Sequence, residues 1–142
     1  MKNKEPMLLK YNGEISLKRI LYTLCGAFEG GSNYWCERMD WHTLKDRHKE
    51  LYKDCEPDDV PGIGANYIET MMYAWENNKP FSILFLSDGE YYKMTPLTIQ
   101  QGVGFLSRDY PDLFHQILVD QDDATTSDAL LQCILFGRVE FG

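Results

Sequence analysis

Apolar residues recur at three- and four-residue steps through Leu17, Ile20, Leu21, Leu24 and Phe28, which predicts an amphipathic helix over 17–28. Ser16 stands where an N-cap belongs, and Gly30-Gly31 stops the run. The next segment, 32–39, is short and aromatic and reads as extended. Residues 42–62 change character. The stretch 42–50 is nearly all polar and predicts a short exposed helix capped by Thr43, while two Pro and a Gly within 54–62 cannot continue it. This region reads as a polar insertion that leaves the core and returns. A second core helix over 65–77 carries Ile68, Met71, Met72 and Trp75 on one face. Residues 81–86 are a strand by length and composition, Asp88-Gly89 supplies a hairpin turn, and 91–95 returns as its partner, ended by Pro96. A third helix starts near Thr98, where Thr98-x-x-Gln101 is a capping-box pattern. Its Gly102 and Gly104 leave room for something to approach the backbone closely. Pro111 closes that segment, 114–119 reads as a strand, and 120–126 is an acidic loop. Ser127 caps a last helix over 128–136, stopped by Gly137. Residues 138–141 alternate polar and apolar and predict an edge strand. The expected fold is a single α+β domain over 1–142, with about four helices around a small antiparallel sheet.

Charge narrows the function classes. The chain of 142 residues has a net charge of −8, but 1–53 sum to +3 and 54–142 to −11. A coat for duplex nucleic acid needs a broad basic face, so duplex binding is disfavoured. A small anion needs only one or two placed Arg, and there are five: Arg19, Arg38, Arg47, Arg108 and Arg138. No run approaches the roughly 18 apolar residues of a membrane span, and the N-terminus lacks the apolar stretch of a signal peptide. A cytoplasmic protein with four reduced cysteines is the expectation.

Familiar catalytic and metal patterns are poorly matched. Cys36, His42, His48 and Cys55 are zinc-ligand types, but their spacings lack the tight pairs of a chelating turn. No Gly-x-Ser-x-Gly elbow occurs, and Cys25 and Cys133 lie on helices expected to pack inward. The acidic run Asp120-Gln121-Asp122-Asp123 lacks the Gly and bidentate Glu of an EF-hand. Gly26-x-x-x-Gly30-Gly31-Ser32 lacks the Lys of a P-loop, while Gly62-Ile63-Gly64 precedes a helix whose amides could face an anion. The expectation is a protein without metal, cofactor or catalytic residues.

Asn33-Tyr34-Trp35-Cys36-Glu37-Arg38 carries more. In an extended segment Tyr34, Cys36 and Arg38 share one face. A ring beside a guanidinium can cradle a nucleotide. The same residues also read as two core anchors, Tyr34 and Trp35, with Arg38 at the rim. Phe105 and Arg108, three apart on the third helix, are neighbours on its surface and form a second ring–guanidinium pair.

Three stretches taken together carry a resemblance: Ala27-Phe28-Glu29-Gly30-Gly31-Ser32-Asn33-Tyr34-Trp35-Cys36, residues 123–137, and the terminal Arg138-Val139-Glu140-Phe141-Gly142. They resemble a family of small phage and prophage proteins with a Glu-Gly-Gly-x-Asn-Tyr-Trp segment and a Leu-Phe-Gly-x-Val-x-Phe-Gly end, and the chain looks like a Thoeris anti-defence signal sponge. The resemblance covers most of the chain except 42–62. It implies a cytoplasmic protein of the infected bacterium that sequesters a cyclic ADP-ribose isomer, or a related cyclic oligonucleotide, without cleaving it. It also implies a homo-oligomer, dimer or hexamer, with ligands at subunit interfaces. Asn33, Tyr34, Trp35 and the region of Asp128 carry over as ligand-binding residues. Where relatives are expected to have an aromatic and an Asn, this chain has Gly102 and Asp112. Two other classes compete: a hydrolase of a nucleotide signal, and an acidic inhibitor that binds a host defence protein.

Overall fold

A computed structural model describes residues 6–142. Among them, six α-helices pack with two small antiparallel sheets: β1 (Leu8–Lys10) with β2 (Glu14–Ser16), and the order β3 (Arg38–Asp40), β4 (Ile83–Ser87), β5 (Glu90–Met94). The α+β class holds, with more helix than the hydrophobic pattern suggested. The β1–β2 hairpin was not expected, although Asn12-Gly13 in its three-residue loop is a turn signal.

Helix α1 (Leu17–Gly26) begins at the expected cap, where the Ser16 hydroxyl accepts from the Arg19 amide at 3.4 Å. Leu17, Ile20, Leu21 and Leu24 are fully buried on its stripe. A π-helical turn, Ala27–Gly31, extends it until the backbone breaks at Gly30. The following segment is not extended as expected. Cys36 and Trp35 amides both return to the Ser32 carbonyl, at 2.9 and 3.2 Å, so 32–36 is a turn, and extended backbone resumes only at β3.

The stretch 42–62 is tied to the core at its start. Leu44, the first residue of α2 (Leu44–Leu51), is fully buried, and Glu50 bonds Lys79 beyond α3 (Ile63–Glu76) at 2.6 Å. Thr43 does not cap α2; its hydroxyl accepts from the Ser82 amide at 2.7 Å. Residues 53–59 are exposed.

The β4–β5 hairpin matches expectation. Ser87 pairs with Glu90, and Asp88 and Gly89 both take positive φ, 51° and 78°. The helices after it start earlier than their patterns suggested. Helix α4 (Pro96–Asp109) is capped by Thr95, with Pro96 in its first turn and Thr98 as the reciprocal partner rather than the cap. Residues 114–119 are not a strand. Pro111 opens helix α5 (Pro111–Leu118), which buries Phe114 and Ile117 one turn apart. Asp123, not Ser127, caps α6 (Ala124–Phe136), its carboxylate accepting from the Thr126 amide at 3.1 Å. Residues 138–141 form no strand.

Helix α6 is the spine of the core. Thr126 through Ile134 are all buried, with α1 and the π-turn on one side and α4 on the other. Gly102 of α4 is where the two helices nearly touch: a Cβ placed on it would lie 2.6 Å from Ile134 Cα and 2.8 Å from Ile134 N. The close approach expected at Gly102 is therefore another helix of the same chain. Gly104 faces open space.

Candidate functional site

The Asn33-Tyr34-Trp35 turn is built around one buried carboxylate. Asp128, on the second turn of α6, is 8% exposed. Its Oδ1 accepts from the Ser32 hydroxyl at 2.7 Å and Trp35 Nε1 at 2.6 Å. Its Oδ2 accepts from the Tyr34 hydroxyl and from Gln132 Nε2, the latter at 2.9 Å. All four donors are neutral. Burying a carboxylate without a cation is costly unless its lone pairs are filled, and here they are. Burial of the hydroxyl end and the adjacent carboxylate push the Tyr34 phenol up to about 12.

Gln132 extends the network to the C-terminal segment. Its Oε1 accepts from the Glu140 and Phe141 amides at 2.7 and 2.8 Å, and its Nε2 donates to the Phe141 carbonyl at 3.2 Å. The Tyr110 hydroxyl accepts from the Val139 amide at 3.1 Å. Phe141 stacks on Trp35 at 5.7 Å with ring planes 5° apart. One side-chain amide thus does the bonding that an edge strand would have done. Asp128 and Trp35 hold this chain's own fold, and Asp128 has both oxygens engaged rather than directed at a ribose. Sequence pattern alone did not single out Gln132, though a Gln amid Leu-Leu and Cys-Ile-Leu-Phe was a signal of a buried polar role.

The expected site residues fall in three places. Tyr34 and Asp128 border a pocket of about 300 Å³ with Val139 and Phe141. Asn33 and Arg38 border a smaller one of about 220 Å³ behind the turn. Arg38 points away from Tyr34. Its guanidinium donates to the Tyr91 hydroxyl across β4 and lies 5.8 Å from that ring's centroid. The turn at 32–36 ends the alternation that would have put Tyr34 and Arg38 on one face, so that cradle does not exist.

Phe105 and Arg108 do lie together. The Arg108 guanidinium carbon is 5.3 Å from the Phe105 ring centroid, and both residues line a concavity of about 740 Å³ between α4, α5 and the β1–β2 hairpin. That volume is within the range of small-molecule sites. Lys10, Tyr11 and Asn12 come from the hairpin, Gln101 and Gly104 from α4, and Phe114 and His115 from α5. Tyr11 packs edge-on against Phe114 at 4.6 Å. Lys10, Arg108 and His115 thus gather three basic side chains around one hollow of an acidic chain. Lys10, Tyr11 and His115 are not legible as site residues in the hydrophobic pattern, which shows neither the hairpin nor α5 that carry them.

The other three arginines have structural partners. Arg19 pairs with Asp122 and with Asp120 at 3.0 Å, which accounts for the acidic loop. Arg47 pairs with Glu50 at 3.0 Å and Arg138 with Glu140. His42 Nδ1 lies 2.6 Å from Ser82 Oγ, but Ser82 is buried and also bonded to Thr43, so the cluster fastens β4 to the start of α2. Among the described residues no three His, Cys, Asp or Glu lie close enough to hold a metal ion. Burial pushes the Cys133 thiol up to about 12 and raises that of Cys36, so neither supplies much thiolate near neutral pH. No described helix is long and apolar enough to cross a membrane. No protein-family model, curated protein or solved structure matches the chain.

Proposed function

We propose that this protein sequesters a cyclic ADP-ribose isomer, or a related cyclic nucleotide signal, without cleavage, as the resemblance to signal sponges implies, and that the α4–α5 concavity, rather than the Asn33–Trp35 turn the resemblance points to, is where it binds. The observation that carries the site is the Phe105–Arg108 pair on the wall of the 740 Å³ hollow that Tyr11 and Lys10 also line. A planar base stacks on the Tyr11 ring, the diphosphate is held by Arg108 with Lys10, and Asn12 and Gln101 meet ribose hydroxyls. Sequestration needs affinity and abundance and breaks no bond. The homo-oligomer expected of such proteins belongs to the same proposal.

Calorimetric titration with a cyclic ADP-ribose isomer tests the assignment. Arg108→Ala should weaken binding by at least about tenfold, the loss of a charge-assisted bidentate contact. Tyr34→Ala should leave affinity within about twofold. The reverse pattern, a silent Arg108→Ala and a disabling Tyr34→Ala, would move the site to the pocket beside Asp128 and refute this one.

A further inference from the structure

Arg108 is already occupied. Its Nε and Nη2 each donate to one oxygen of Asp109 at 2.8 Å, the fork-to-fork geometry in which guanidinium also holds phosphate. Arg108 lines the concavity, whereas Asp109 lies outside its lining. The pair is exposed, with side chains 67% and 41% accessible; the hydrogen bonds between them hold the guanidinium charged and keep the Asp109 carboxyl below the usual carboxylate range.

We infer that Asp109 is an internal competitor that sets the charge class of the ligand: the concavity selects a diphosphate over a monophosphate or a neutral nucleoside. This inference rests on the proposed binding role of the α4–α5 concavity. The physical reason is an exchange. A monophosphate that takes Asp109's place gives Arg108 one bidentate anion in exchange for another and reaches no further group. A diphosphate brings a second phosphoryl group, which the Lys10 ammonium and a His115 ring N–H of the same hollow are placed to receive. The Phe105 ring contributes by holding the guanidinium over its face, so Arg108 need only exchange its anion rather than be gathered from solution.

Binding of ADP, AMP and adenosine to the full chain, measured by titration calorimetry at two salt concentrations, tests this. Wild type should bind in the order ADP, AMP, adenosine. Asp109→Asn should tighten AMP roughly two- to five-fold, the scale of an exposed ion pair, and narrow the ADP-to-AMP ratio. Asp112→Asn removes the same charge in the first turn of α5 and should change neither. An unchanged AMP affinity in Asp109→Asn, an equal gain in Asp112→Asn, or no binding of any of the three by wild type and Asp109→Asn overturns the inference. Binding lost in Arg108→Ala but indifferent to Asp109→Asn would overturn the competitor and keep the site. An Asp109-dependent ADP affinity in a protein that ignores cyclic ADP-ribose isomers would keep the competitor and sink the proposed ligand.

Discussion

Asp128→Ala is expected to destabilise the fold by about 3–5 kcal/mol, read as a fall in the urea midpoint at an unchanged slope. The substitution strands the Ser32 hydroxyl, Trp35 Nε1, the Tyr34 hydroxyl and Gln132 Nε2, which converge on that carboxylate. A buried donor left without an acceptor costs about 1–3 kcal/mol. Tyr34 is 59% exposed and can turn to water, so the four penalties do not simply add. Asp128→Asn should lose less, because the amide oxygen still serves Ser32 and Trp35, although its NH2 faces the Gln132 NH2. The damage should spread along Gln132 to the C-terminal segment, and increased proteolysis beyond Gly137 would report it. Stability within about 1 kcal/mol of wild type would mean that the carboxylate is not the keystone of the turn, and would restore it as a candidate ligand group.

Gly102→Ala is expected to cost about 3 kcal/mol, against the roughly 1 kcal/mol that Ala gains over Gly inside a helix. The added methyl meets Ile134 backbone atoms at 2.6 and 2.8 Å, and backbone cannot step aside as a side chain can. The helices must separate, and α6, buried almost throughout, has no slack for it. Gly104→Ala, two residues on and facing open space, should be neutral or slightly stabilising. A thermal melt comparing the two variants isolates packing from propensity. Equal melting temperatures would refute the close approach of α4 and α6.

How much of this was legible depended on how local each feature is. The β4–β5 hairpin could be read because Asp88-Gly89 supplies the turn between two apolar runs. The β1–β2 hairpin carries a comparable signal in Asn12-Gly13, but its strands are three residues each and give no periodicity to notice. Helix α5 is hard to read because Phe114, Ile117 and Val119 favour strands by type, and because Pro111, which can end a segment, here sits in a helix's first turn. The last helix begins four residues before the Asp128 start that its pattern suggests, because its cap, Asp123, belongs to the acidic loop.

The site follows the same rule. Phe105 and Arg108 could be paired from the sequence because helical geometry fixes neighbours three apart, and they are adjacent in the fold. Tyr34 and Arg38 were paired by strand alternation, which a single turn at 32–36 destroys. The Asp128 network joins groups more than 90 residues apart, and no local pattern announces such a meeting. The hollow itself needs three elements, one of them the missed hairpin, so its Lys10 and Tyr11 wall was not legible.

Sequestration without turnover is tested by retention and release of the ligand. Purified protein in excess is incubated with a cyclic ADP-ribose isomer, the mixture is filtered, and the retained fraction is heat-denatured and chromatographed. The isomer should disappear from the filtrate and return intact and near-stoichiometrically on denaturation, and Arg108→Ala should fail to retain it. Recovery of a linear or hydrolysed product would contradict the account in favour of a hydrolase. A filtrate undepleted of this and of related cyclic nucleotides would contradict it in favour of an acidic protein that acts on a host partner.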